Sequence, residues 1–480
     1  MAESTLKQKT AKGLFWGGLS NGVQLLVNVS FGIYMARSLS KDDYGLVGML
    51  AIFMGIASVI INSGFSVALT NKQDANHKDY NAVFWFTVFV GLFLYLVLFF
   101  CAPLIAKFYG RPELLHLSRA LFTIFFTTGV ATVSYTVMFK KIMVRQQAII
   151  DIVSLLTACV IGVILVFNHF TYWALAIQSM IYMFLSGMLR FIIAPWKPTL
   201  QFDFSPLKQM FSFSLKLFLT NIFTQINVNI FSIIFGKFYN AEQLGVYNQG
   251  QKWSGMSSQF IGGMINSVTQ PILVQVNNNK KRQINVLRKL IRFGAFISFP
   301  LMLGFAFIGK EFILITIGEK WLPSVPFLQL FCLWGAFGFL STLYTNLIYA
   351  EGKSNLYMYG TIITGLLQLA VVIGMYPFGI FPMVIAYISV YFVGLAIWHY
   401  FVYRTIGLRI RDVLKDLLPF LLITTGCFFV TWLLTKNIVN LYALIIAKIG
   451  VAGILYYAIL RICNAKILKE SMDFLLKRAK

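Results

Sequence analysis

An all-α integral membrane protein of about 14 transmembrane helices is the fold class this sequence predicts, on three observations. First, 58% of the 480 residues are hydrophobic and 12% charged, too apolar for a water-soluble chain of this size. Second, the apolar residues fall into stretches long enough to cross a hydrocarbon core of roughly 30 Å, which takes about 20 residues of helix. Third, Lys and Arg collect on alternate loops, as the topogenic rule for short cytoplasmic loops requires.

The spans are read, in order, at residues 14–36, 44–69, 83–106, 117–138, 149–167, 172–194, 211–235, 245–276, 293–317, 327–350, 356–375, 380–401, 417–434 and 439–460. The first begins behind a Lys-containing start, but it is long, carries Asn21, Gln24 and Asn28, and has no convincing cleavage site, so it reads as a helix and not a signal peptide. With the N-terminus inside, most of the 40 basic residues lie at cytoplasmic ends, including the Lys280, Lys281, Arg282, Arg288, Lys289 and Arg292 cluster and the tail from Arg461. Both termini are therefore expected in the cytoplasm. The formal charge of +24 is spread over alternate loops without interleaved aromatics, which points to anionic lipid headgroups and not to nucleic acid. The five cysteines are isolated and the four histidines scattered, so no disulfide, metal site, cofactor or catalytic triad is expected.

Self-comparison reveals a repeat. At an offset of 200 residues Leu19-Ser20-Asn21 meets Leu219-Thr220-Asn221, Phe31 meets Phe231, Arg37 meets Lys237 and Gly45 meets Gly245. After a slip of eight or nine residues, Tyr109-Gly110 meets Ile317-Gly318 and Tyr135-Thr136 meets Tyr344-Thr345. Spans 1 and 7 then cross in the same direction, giving two parallel six-helix lobes, residues 1–200 and 201–402. Residues 403–480 supply an appended pair, spans 13 and 14, and the basic tail.

Polar residues inside the spans mark the candidate pathway, because a charge at mid-membrane costs about 2.5–3.5 kcal/mol even on lenient scales. Asn21, Gln24 and Asn28 lie within a fan of about 60° on span 1. Lys216, Thr220, Thr224 and Asn227 share a face of span 7, with Asn221 and Gln225 beside them. On span 8, Lys252, Gln259, Asn266 and Gln270 form a stripe roughly 27 Å long, with Gly255, Gly262 and Gly263 along or next to it. Interhelical amide bonding accounts for such residues one at a time; two lysines on adjoining spans tip the balance towards a pathway, with snorkelling of Lys216 to the cytoplasmic surface as the alternative. Arg37 and Lys237 read as interfacial anchors, and Lys448 in span 14 has no polar company. The 16 acidic residues lie in loops or near span ends, which disfavours a carboxylate-based cation site. Lysines and amides together suit an anionic, hydroxyl-rich substrate. Pro271, Pro300 and Pro419 interrupt spans 8, 9 and 13 and permit bends.

The segments Thr10-Ala11-Lys12-Gly13-Leu14-Phe15-Trp16, Leu39-Ser40-Lys41-Asp42-Asp43-Tyr44-Gly45, Leu244-Gly245-Val246-Tyr247 and Tyr349-Ala350-Glu351-Gly352-Lys353 resemble those of the Wzx-type polysaccharide flippases, within the multidrug/oligosaccharidyl-lipid/polysaccharide exporter superfamily. The resemblance implies a V-shaped, MATE-like pair of lobes in the bacterial inner membrane. It also implies alternating access for an undecaprenyl-pyrophosphate-linked oligosaccharide, with basic side chains in the cavity and polysaccharide polymerase or export proteins as partners. A multidrug exporter of the same superfamily stays open as an alternative, as does an integral-membrane glycosyltransferase or polymerase with Asp42-Asp43 as its acidic motif. Against the latter, Glu242-Gln243 stands at the repeat-equivalent position and no large external loop is present.

Overall fold

The computed structural model describes residues 2–464 and 467, apart from 63, 64, 73, 204 and 276–278, and every regular element among them is helical. Packing divides the chain into two compact units, Met1–Gly245 and Val246–Lys480.

In the first unit the helices are α1 (Ala2–Ser38), α2 (Lys41–Met49), α3 (Ala51–Asn62), α4 (Phe65–Asn71), α5 (His77–Tyr109), α6 (Glu113–Leu121), α7 (Thr123–Lys140), α8 (Val144–Phe167), α9 (Thr171–Ile193), α10 (Ser205–Phe238) and the start of α11 (Ala241–Gln275). The second span of the sequence reading is broken into α2, α3 and α4, and the fourth into α6 and α7. The second unit holds the rest of α11, then α12 (Lys280–Phe307), α13 (Gly309–Thr316), a 3-10 turn (Glu319–Ser324), α14 (Val325–Ala350), α15 (Ser354–Met375), a second 3-10 turn (Tyr376–Phe378), α16 (Ile380–Ile406), α17 (Ile410–Thr435) and α18 (Leu441–Ile462).

Among the described residues eleven segments are long and apolar enough to cross a membrane. The remaining long helices, α1, α10 and α11, have 37, 34 and 35 residues. At 1.5 Å per residue each is longer than a hydrocarbon core is thick, and these three carry the polar faces noted above. Exposed apolar side chains such as Phe93, Phe100 and Leu104 on α5, or Ile446 and Ile454 on α18, are out of place in water and in place in lipid.

The repeat is visible in helix ends as well as in sequence. α1 and α10 stop at residues 38 and 238, and α2 and α11 start at 41 and 241. Both starts are capped by a short polar side chain: Ser40 Oγ accepts the Asp43 N–H at 3.1 Å, and Asn240 Oδ1 accepts the Gln243 N–H at 2.8 Å. In the first case Asp43 also accepts the Ser40 N–H, closing a capping box. Gly110 and Gly318, paired by the slipped alignment, both turn through positive φ, at 67° and 94°.

Within the first unit α8 packs against α1 and α9, α7 against α5 and α9, and α10 against α3, α4 and α5. Small residues set the close crossings. On α5 and α7, Gly91 faces the Phe125 carbonyl and Gly129 faces the Thr87 carbonyl, and Thr87 Oγ donates to the Gly129 carbonyl at 2.9 Å.

In the second unit α12 lies between α14 and α17, and α17 packs on α18. Ion pairs moor this last pair of helices. Asp416 on α17 accepts from Arg288 at 2.7 Å and Arg292 at 2.9 Å, both on α12. Lys448 on α18 meets Glu311 on α13 at 2.7 Å, both about 10% exposed, and Tyr456 Oη donates to the Phe296 carbonyl. The expectation that Lys448 lacks polar company is therefore corrected. Its partner lies 137 residues upstream, where no helical spacing reveals it.

Candidate functional site

The predicted pathway residues are distributed as follows. On α1 Asn21 is exposed, Asn28 is half-buried and the half-buried Gln24 donates to Ser20 Oγ at 2.9 Å. On α10 Asn221 is exposed and Thr224 half-buried. Asn227 is buried, donates to the Phe223 carbonyl one turn back, and keeps an Oδ1 with no partner in the protein. Gln225 accepts from Asn229 where α10 crosses Gly55 of α3, so it serves packing. On α11 Gln259 is exposed, and Lys252 lies beside the Trp253 ring, 5.7 Å from its centroid. The side chains of Lys216, Thr220, Asn266 and Gln270 lie outside the described residues, as does that of Pro271. Lys237, read as an anchor, donates to the Phe108 carbonyl at 2.7 Å and sits over the Phe108 ring.

Two of the hollows in the structure lie among repeat-equivalent helices, one in each unit. The first, of about 560 Å³, lies among α3 and α4 (Asn62, Ser66, Thr70), α7 (Thr128, Thr132, Tyr135, Thr136, Phe139) and α9 (Ser186, Arg190). Arg190 donates through Nη2 to Asp151 of α8 and rests 5.3 Å from the Tyr135 ring centroid. Its Nε and the Ser66 hydroxyl have no partner in the protein. The sequence reading passed over this ladder because Thr and Ser every fourth residue look like ordinary helix filler. The spacing itself, 128, 132 and 136, was the available signal.

The second hollow, of about 300 Å³, lies among α11 (Gln251, Ser254, Ser258), α14 (Trp334, Thr342) and α16 (Tyr391), the repeat counterparts of the elements around the first. The Trp334 and Tyr391 rings are 4.8 Å apart, and Tyr391 Oη donates to Ser341 Oγ at 3.1 Å. Gly255 and Gly262 line it, and a Cβ on either would meet nothing within 4 Å. The glycines flagged beside the α11 stripe thus face open space, while the wall next to them is Gln251, Ser254 and Ser258 and not Lys252.

A third feature is the crossing of the two helix starts that the repeat relates. A Cβ on Gly45 would fall 1.8 Å from the Ala241 carbonyl oxygen, and a Cβ on Gly245 would fall 2.0 Å from that of Lys41. Residues 41 and 241 are themselves repeat partners, so the contact is reciprocal. Lys41 Nζ also reaches Glu242 at 2.8 Å. On the next residue, Asp42 accepts a fork from Arg111 at 2.6 and 2.9 Å. Both carboxylates of Asp42-Asp43 are thereby committed, one to a fork and one to a cap.

A multi-pass helical membrane protein whose helix ends repeat at 200 residues, with a hollow that includes Ser, Thr and Tyr side chains among equivalent helices of each unit, belongs to the class of transporters built from duplicated bundles. Residues 34–326 match the family described as "Polysaccharide biosynthesis protein", and the chain belongs to that family. It is 24% identical over 361 residues to the teichuronic acid biosynthesis protein TuaB of Bacillus subtilis, with 74% of each chain covered. It is 20% identical over 427 residues to the lipopolysaccharide biosynthesis protein WzxC of Escherichia coli, covering 87% of this chain and 86% of that one. Among solved structures the fold is similar to that of lipid II flippase MurJ in an inward closed conformation, with a TM-score of 0.72 at 15% identity, covering 94% of this chain and 99% of that one. It is also similar to an inward-facing MATE family multidrug transporter of the MOP superfamily, with a TM-score of 0.64 at 15% identity over 80% and 95% of the two chains. The expected MATE-like fold is therefore the observed one.

Proposed function

We propose that the protein is a flippase that carries undecaprenyl-pyrophosphate-linked oligosaccharide from the inner to the outer leaflet of the bacterial inner membrane, with both termini in the cytoplasm. Membership of a polysaccharide biosynthesis family on a flippase-like fold carries this reading, and hydroxyl-lined hollows support it. The two six-helix lobes, residues 1–200 and 201–402, alternate between inward-open and outward-open states. In that cycle the crossing at Gly45 and Gly245 is the closed outer gate, since basic-residue topology puts the α1–α2 and α10–α11 turns outside.

In this proposal the pyrophosphate meets Lys216 first and leaves past Lys252. The sugars pass along Asn21, Gln24 and Asn28 of α1, Thr220, Asn221, Thr224 and Asn227 of α10, and Gln259, Asn266 and Gln270 of α11, while the polyprenyl tail stays in lipid. Moving two negative charges outward, down the gradient of an inside-negative potential, gains about 5 kcal/mol per 100 mV, so no nucleotide is required. The protein moves its substrate and makes no bond in it. Polymerase and export proteins of the same polysaccharide system would take the flipped product.

Replacing Lys216 and Lys252 together with Ala in a deletion strain should cause lipid-linked sugar to accumulate in the inner leaflet, measured by protection from an added periplasmic glycosidase. Normal export by that double variant would remove the anion site. The MATE-like fold keeps a multidrug exporter as the second reading. Cation-driven efflux of a cationic dye from proteoliposomes, with no flipping of lipid-linked sugar, would favour it.

A further inference from the structure

We propose that the hollow of the first unit is a subsite for a single uncharged pyranose ring of the saccharide and not for its phosphates; this rests on the flippase reading. Its volume of about 560 Å³ lies within the range of small-molecule sites, about 300–1,000 Å³.

Charge argues for a neutral occupant. Arg190 is the cation among the lining residues, and Asp151 already accepts from its Nη2, so the pair offers an anion little net attraction. Arg190 Nε is buried without a protein partner, a donor left to be satisfied. A sugar hydroxyl, both donor and acceptor, suits such a site, whereas a fully ionised phosphate only accepts.

The hydroxyl ladder supplies the matching acceptors. Thr128, Thr132 and Thr136 each spend their proton on the carbonyl one turn back, at 2.7, 2.7 and 2.9 Å. Their oxygens keep lone pairs in steps of about 6 Å along α7, with Thr128 half-buried and Thr132 and Thr136 buried in the wall. Ser66 of α4 lines the same space, and its buried Oγ has no partner in the protein. Tyr135 and Phe139 complete the site, stacked at 6.2 Å with 22° between their planes and each about half exposed. Aromatic faces of this kind cover the C–H face of a sugar ring, which is apolar although its rim is not.

The test is binding of two probes to the full-length protein in nanodiscs: undecaprenyl pyrophosphate bearing one hexose, and the same lipid without sugar. Wild type should prefer the glycosylated lipid about tenfold. Thr132→Val with Thr136→Val, Arg190→Gln with Asp151→Asn, and Tyr135→Ala should each bring that preference close to one while leaving affinity for the sugar-free lipid unchanged. Tyr135→Ala alters an exposed ring, so it reports even where the others fail to fold. Equal binding of both probes by wild type, or a preference that survives Tyr135→Ala and the folded members of the other pairs, overturns the subsite and leaves the flippase reading standing. Failure of wild type to bind either probe counts against the flippase reading itself and takes the subsite with it.

Discussion

The two repeats are near-copies where their helix starts cross and unlike where their hollows lie. At the crossing, Gly45 and Gly245 present the same absence of a side chain to the same backbone atom of the partner repeat. In the hollows, equivalent helices hold different chemistry: a threonine ladder with an Arg190–Asp151 pair in one, and a Trp334–Tyr391 aromatic wall without a charged lining residue in the other. Backbone contact this close tolerates no side chain in either copy, so both copies keep glycine. A binding wall is free to diverge, because an extended substrate is not itself two-fold symmetric. The second unit places its buried charges instead at the moorings of α17 and α18.

The largest effect is expected at the crossing. Gly45→Val or Gly245→Val puts carbon well inside the van der Waals radius of a carbonyl oxygen, so each should reduce export more than tenfold, measured as surface polysaccharide in a deletion strain. Gly255→Val, on the open wall of the second hollow, should leave folding and expression intact. Equal folding defects in all three would erase the distinction between crossing and hollow.

Next comes the buried pair in the second unit. Lys448→Met alone strands Glu311 and should destabilise the protein by about 3–5 kcal/mol, whereas Lys448→Met with Glu311→Gln should recover most of that loss. Thermal unfolding in detergent measures both. A double variant as unstable as the single would mean that the pair anchors more than its own charges.

Smaller still, Tyr391→Phe removes one hydroxyl bond to Ser341 and should cost about 0.5–1.5 kcal/mol in the same assay, without leaving a charge behind. Smallest is Lys41→Ala, which breaks an ion pair to an exposed Glu242 and should change stability by less than about 1 kcal/mol. A large loss of export with unchanged stability in Lys41→Ala would assign the pair to gating and separate it from the glycine contact.

Much of this was legible in the sequence through local periodicity. Apolar segment length marked the spans, and the offset of 200 aligned residues 40–45 with 240–245, where α2 and α11 begin. Polar spacing on α11 pointed at the helix whose Ser254 and Ser258 line the second hollow; Lys252 lies beside Trp253 and is not part of that wall. The broken second span, α2 to α4, was not legible, because its apolar run is continuous and the interruptions come from packing.

The sequence by itself determined that the chain is a duplicated helical membrane protein, since hydropathy and repeat are properties of residues in order. Tertiary structure alone decided which distant residues became partners: Arg190 with Asp151, Lys448 with Glu311, Gly45 with Ala241. The reason is physical. A helix fixes the relation of residues three or four apart, but the carbonyl that excludes a side chain, or the carboxylate that neutralises a buried lysine, arrives on another helix whose register only packing sets.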